Sequence, residues 1–236
     1  MALPKLNDTP KYELHVPSTG QKVRFRPYLV KEEKILMVAM ESQDVNQIVN
    51  AISDTISACV VDDIDIEKLK MFDVEYMFTQ IRGKSVGETS ELNMPCEKCE
   101  EGNQVFIKYD DIKIDMPEEV SDIIPITDSI KLKMSWPSFR KLMSQFNDMK
   151  EFNTDLAFKT LVVCIDSIMT EDEIFHMSDH TEEEANEFIE SLTTAQLGNV
   201  REYLEAMPRL TYNIEFDCSN CSTHNTKELS GIQDFF

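Results

Sequence analysis

The chain has 236 residues, 42% of them hydrophobic, enough for one large domain or two small ones around a buried core. Its 44 acidic residues against 23 basic ones give a formal charge of -21, which opposes general nucleic-acid binding and docking on anionic membranes, since both need a net basic face. Only six glycines occur, neither GxGxxG nor GxxxxGK[ST] is present, no apolar run is long enough to span a membrane, and the opening MALPKLNDTP lacks the apolar core of a secretory signal.

The expectation is a soluble chain that stays in a reducing cytoplasm and favours basic protein partners. The first patterned stretch is KYELHVPSTGQKVRFRP. Tyr12, Leu14 and Val16 alternate, as do Val23 and Phe25 beyond the turn signal Ser18-Thr19-Gly20, which predicts a β-hairpin. Val30 to Met40 is helical in composition, and Val45, Ile48, Val49, Ile52, Ile56 and Cys59 mark one face of a further helix. Asp73 is the expected N-cap of a helix carrying Val74, Met77, Phe78 and Ile81, with Gly83 as its stop. The strand ELNMP then leads into Cys96 and Cys99.

A similar order follows. Ile130, Leu132 and Met134 alternate in a strand, and Pro137 opens a helix that reaches Phe146. Leu156, Leu161, Cys164, Ile165 and Ile168 fall largely on one helical face. After the acidic insertion TEEEANEFIESL, a helix carries Leu197, Val200, Tyr203 and Leu204. LTYNIEFD is a strand leading into Cys218 and Cys221. Cys218 lies 122 positions after Cys96, and at that offset Phe78 meets Val200 and Ile81 meets Tyr203. The pattern points to a tandem duplication, 1–116 and 117–236. Its fold class is α+β: two similar helix-rich units, each with short antiparallel strands leading to a CxxC, joined by a zinc-ribbon-like clasp.

Cys96, Cys99, Cys218 and Cys221 are the candidate metal ligands, because four thiolates in two CxxC pairs match a structural zinc site with one ion per chain. The 118 residues between Cys99 and Cys218 exceed the spacing of a compact zinc ribbon, so the fold must bring the pairs together. Alternatives are His224 in place of one thiolate, four reduced cysteines without metal, two disulfides, or a redox pair. Cys59 and Cys164 lie in apolar patterns and read as buried small hydrophobes.

Catalytic constellations are missing. His15, His176, His180 and His224 form no HExxH, GxSxG is absent, and Asp62-Asp63 and Asp110-Asp111 read as solvated surface. Arg24, Arg26, Arg82 and Lys84 read first as partners of nearby carboxylates and second as an interface. Trp136 is placed at a strand-to-helix corner. Phe235 and Phe236 either dock on the core or insert into a partner.

The stretch MALPKLNDTPKYELHVPSTGQKVRFRPYLVKEEKILMVAMES resembles the start of the baseplate hub assembly proteins of T-even-type myophages. The matching residues are Ala2 through Leu6, Tyr12 through Leu14, Pro17 through Gly20 and Phe25 through Lys34. FDVEYMFTQIRGKSVGE, residues 72 to 88, is similar to that family's central motif, and a CxxC follows it. The resemblance implies a phage protein without enzymatic activity, made in the host cytoplasm, whose partners are other baseplate hub or assembly proteins. It implies neither nucleic-acid nor membrane binding. It leaves open the oligomeric state and whether the protein stays in the virion tail baseplate. The alternative class is a zinc-ribbon regulator of nucleic acid or host transcription machinery, which would need a basic stripe longer than QIRGK or KVRFR. A thiol oxidoreductase is the remaining class.

Overall fold

A computed structural model of the protein describes residues 9–117, 120–144 and 154–230. Strands β1 (Tyr12–His15) and β2 (Lys22–Phe25) form the expected antiparallel hairpin, with Leu14 opposite Val23. Alternation buries Leu14, Val16, Val23 and Phe25. Helices α1 (Val30–Ser42) and α2 (Val45–Cys59) follow. Asp44 separates them because its carboxylate accepts the N–H groups of Asn46 and Gln47 at 2.8 and 3.2 Å, which satisfies donors that a helix start leaves unpaired.

Helix α3 (Met71–Val86) buries Phe72, Val74, Met77, Phe78 and Ile81, so it lies at the centre of its unit. Its start and stop differ from the sequence expectation. Asp73 sits inside the first turn, where its carboxylate accepts Lys70 N–H and Ser18 N–H, both at 2.8 Å. It therefore ties the helix start to the β1–β2 turn, a job that a cap position would not reach. Gly83 does not end the helix, which runs to Gly87 at φ 145°. Gly83 is there for space: a Cβ at this position would stand 2.9 Å from Tyr109 Cβ.

The cations named in the sequence have local partners. Arg24 pairs with Asp62 at 2.6 Å, Arg26 with Glu32 at 2.8 Å, and Lys84 with Glu88 and Asp110, while Arg82 donates to the Tyr109 hydroxyl at 3.1 Å. Glu32 is buried, and burial pushes its carboxyl up, yet bonds from Arg26, the Leu29 N–H and Lys31 outweigh that and hold it below the ordinary range.

Strands β3 (Thr89–Pro95) and β4 (Gly102–Lys108) form a hairpin whose turn holds the first CxxC, and β5 (Lys113–Asp115) follows. Next come β6 (Ile123–Pro125), β7 (Lys131–Met134), α4 (Phe139–Ser144), α5 (Thr154–Cys164), β8 (Ile165–Met169) and β9 (Ile174–His176). Helices α6 (Glu182–Glu190) and α7 (Thr194–Glu205) complete this stretch. The acidic insertion is thus helix α6, opened by a capping box between Thr181 and Glu184, and α7 opens in the same way with Thr193 and Gln196. Finally β10 (Arg209–Asp217) and β11 (His224–Ser230) form a hairpin whose turn holds the second CxxC.

The chain divides into two compact units. One takes the described parts of Met1–Asp115 and Arg209–Phe236, the other those of Met116–Pro208. The boundary differs from the expected 1–116 and 117–236 because β10 pairs antiparallel with β5, Leu210 opposite Ile114. Leu210, Ile214 and Leu229 then share a core with Met94, Ile107, Tyr109 and Ile112. Both CxxC turns consequently lie in the first unit.

The second unit is an antiparallel sheet in the order β6-β7-β8-β9 with α4 to α7. Ile165 and Ile168 belong to β8 rather than to the predicted helix, since Ile168 stands opposite Leu132 and Ile165 opposite Met134 in the ladder with β7. Strand pairing overrides the helical spacing there. Trp136 stacks on Tyr203 with ring centroids 5.7 Å apart. Residues 145–146 of the predicted helix, and Phe235 and Phe236, lie outside the described residues.

Part of the element order recurs along the chain. Each of the hairpins β1-β2 and β6-β7 is followed by two helices; beyond α2 the single residue Val60 bridges Phe25, and beyond α5 the strand β8 pairs with β7. Arg26 N–H donates to the Cys59 carbonyl at 3.0 Å, and Ser135 N–H to the Cys164 carbonyl at 2.8 Å. Cys59 and Cys164 are both buried, and burial raises the Cys59 thiol to about 11.

Two glycine substitutions should move stability in opposite directions. Gly83→Ala drives a methyl into Tyr109 and is expected to cost about 1–3 kcal/mol, the usual effect of overpacking. Gly198→Ala in α7 meets nothing within 4 Å and should add about 0.5–1 kcal/mol by favouring the helix. Denaturant midpoints of the two variants check the signs.

Candidate metal centre

Each CxxC sits where a hairpin turns, and the two turns are built alike. In the first, Cys96 N–H donates to the Glu101 carbonyl and Glu100 N–H to the Cys96 carbonyl, both at 2.9 Å. In the second, Cys218 N–H donates to Thr223 and Ser222 N–H to Cys218, again both at 2.9 Å. Closing the turn puts Glu100 and Ser222 in the left-handed region, φ 58° and 54°. The strands β3-β4 and β10-β11 present these turns to each other within one unit.

The result is a cluster of four sulfurs, Cys96, Cys99, Cys218 and Cys221, with the ligating atoms all within 4.8 Å of one another. Cys96 and Cys221 are 3.7 Å apart, Cys99 and Cys218 3.6 Å, and Cys99 and Cys221 3.5 Å. An ion with tetrahedral thiolate bonds of about 2.3 Å spaces its sulfurs roughly 3.8 Å apart, so the cluster fits such an ion. The first cysteine of each pair is buried and the second half-buried. With four protein ligands, a tetrahedral ion there has no open position for water or substrate.

Neighbouring backbone and hydroxyl groups shift the acidity of the sulfurs. The Lys98 N–H, 3.4 Å from Cys96 Sγ, holds Cys96 below the ordinary thiol value. The Cys221 N–H does the same for Cys218, and the Thr223 hydroxyl, 3.1 Å from Cys221 Sγ, for Cys221. Cys99 receives the Glu101 N–H, which lowers it, but the sulfurs of Cys221 and Cys218 together with burial push it up to about 11. An ion bound by four thiolates would displace the protons those thiols carry.

All four sequence-predicted ligands meet. His224 is not among the clustered ligands: it is exposed and its Nδ1 lies 2.9 Å from Asp217 Oδ1. Sequence reading missed Asn103 and Asn225. Asn103 Oδ1 accepts the Ser219 N–H at 2.8 Å, and Asn225 Oδ1 accepts the Glu97 N–H at 2.9 Å. The signal for them was present, because CEKCEEGN and CSNCSTHN both read CxxCxxxN.

Over residues 9–236 the chain matches the family model described as the T4 bacteriophage base plate protein, and it belongs to that family. No curated protein and no solved structure matches it. The family is that of a phage structural protein, which places the chain among proteins that join other phage structural proteins in the tail baseplate. Among the described residues no helix is long and apolar enough to cross a membrane.

The left-handed turn positions carry a test of their own. A non-glycine residue in that conformation costs about 1–2 kcal/mol, against a glycine entropy cost of about 0.5–1 kcal/mol. Glu100→Gly and Ser222→Gly should each therefore raise stability by up to about 1 kcal/mol, read as a higher thermal midpoint.

Proposed function

We propose that this protein acts in building the hub of the phage tail baseplate, or is built into it, through protein–protein contacts rather than catalysis. The match to the baseplate family over nearly the whole chain carries this reading. The place of action is the host cytoplasm during assembly. The formal charge of -21 suits a protein that covers basic surfaces on its partners until they join.

The metal in this reading is one zinc ion per chain, held by Cys96, Cys99, Cys218 and Cys221. A four-sulfur tetrahedral site selects zinc or an iron–sulfur centre, and saturation by protein ligands suits a structural ion. The zinc clasps the β3-β4 hairpin to the β10-β11 hairpin. Those hairpins are the equivalent parts of two copies of one ancestral unit. Structural zinc contributes roughly 10 kcal/mol or more in modules that lack a core. Here Leu210, Ile214 and Leu229 already hold the second hairpin, so the metal's share is smaller.

Protein purified without chelator is expected to carry one zinc per chain by elemental analysis. The Cys218→Ser/Cys221→Ser double variant should carry none and melt at a lower temperature. Iron in place of zinc, or no metal in the wild type, would remove the zinc clasp.

The assembly role is tested separately. Tagged protein captured from infected cells during tail assembly should bring down other baseplate proteins. Capture without any of them, together with normal tails in its genetic absence, would sink the proposal.

A further inference from the structure

The two asparagines missed by sequence reading stand four positions after the second cysteine of each turn. Both are buried, at 7% and 2% exposure, although an amide of this size is normally left in water. A buried amide must have its donors and acceptor used, and here they are used in the same way twice. Asn103 Nδ2 donates to the Glu101 carbonyl at 2.7 Å, and Asn225 Nδ2 to the Thr223 carbonyl at 2.7 Å. Those carbonyls are the ones that close each thiolate turn by accepting the Cys96 and Cys218 N–H groups. Each side-chain oxygen then crosses to the other hairpin. Asn103 takes the N–H of Ser219, next to Cys218, and Asn225 takes the N–H of Glu97, next to Cys96. Asn103 Nδ2 also lies 3.8 Å from Cys218 Sγ.

We propose that Asn103 and Asn225 are the positioning residues of the metal centre, each fixing the thiolate turn of the opposite hairpin. This rests on the metal-binding reading above. The amide is the side chain that can do it. It joins a donor aimed at its own turn to an acceptor aimed at the other, which a carboxylate or an aliphatic group of similar size cannot do. The oxygen bonds are exchanged, so each turn is held from across the cluster as well as from its own strand. The four sulfurs therefore keep ligand spacing without the ion holding them there. Groups that orient metal ligands in this way set affinity, typically by 10- to 100-fold.

The test uses the full chain and zinc itself. Asn103→Ala and Asn225→Ala should each raise the zinc dissociation constant about 10- to 100-fold in competition with a chromogenic chelator. Amide hydrogen exchange supplies a readout that a general loss of stability would not mimic. The Ser219 amide should lose protection in Asn103→Ala and the Glu97 amide in Asn225→Ala, in each case on the opposite hairpin. Asn103→Asp keeps the acceptor and should keep Ser219 protected, while its carboxylate beside Cys218 still weakens zinc binding. If the alanine variants do not fold, Asn103→Asp decides, since unprotected Ser219 in that variant overturns the acceptor role. Wild-type zinc affinity in both alanine variants overturns the proposal while leaving the metal site standing. A wild-type protein that takes no zinc overturns the metal reading and this proposal with it.

Discussion

A four-sulfur site can exist in this chain only if two turns 119 positions apart meet, and the backbone brings them together. The antiparallel ladder between β5 and β10 returns the chain to the first unit, and Leu210 and Ile214 seal it against Ile107 and Tyr109. Closing so long a loop is less costly than its length suggests. The entropy cost rises only with the logarithm of loop length, about 0.6 kcal/mol for each doubling. A few buried aliphatic side chains, each contributing roughly 1.5–3 kcal/mol, offset it. Hydrophobic burial and strand pairing thus bring the four sulfurs into one cluster that could hold an ion.

The charge pattern has a similar logic at smaller scale. An acidic chain repels itself, and its cations are placed where they relieve that repulsion within the unit. Arg24 answers Asp62 across from β2, and Lys84 answers Glu88 and Asp110 together. Arg26 does more, because Glu32 is buried and its desolvation would be unfavourable without the guanidinium. With a formal charge of -21, the chain stays strongly negative after these pairings.

Much of this was legible from residue order because local rules decided it. The alternation of Leu14 and Val16 against Val23 and Phe25, the apolar face of α2 and the paired CxxC turns each need only nearby residues. The failures share a cause: a distant group set the local outcome. Asp73 resembles a cap until Ser18 is seen to require its second oxygen. Gly83 looks like a stop until Tyr109 is seen to occupy the space above it. Ile165 and Ile168 keep helical spacing with Cys164, yet β7 offers them a ladder. The boundary after residue 116 went astray because a repeat in the sequence need not be a unit in space. The asparagines were the reverse case, a local signature in plain view whose meaning depended on the other hairpin.

The second unit, Met116–Pro208, leaves the first after β5 and rejoins it at β10, and Asp115 and Arg209 stand directly opposite each other in the ladder. Cα atoms so paired are about 5 Å apart, whatever lies between them along the chain. The segment is thus spliced into a hairpin position, and the β5–β10 ladder asks of it only that its two ends meet there.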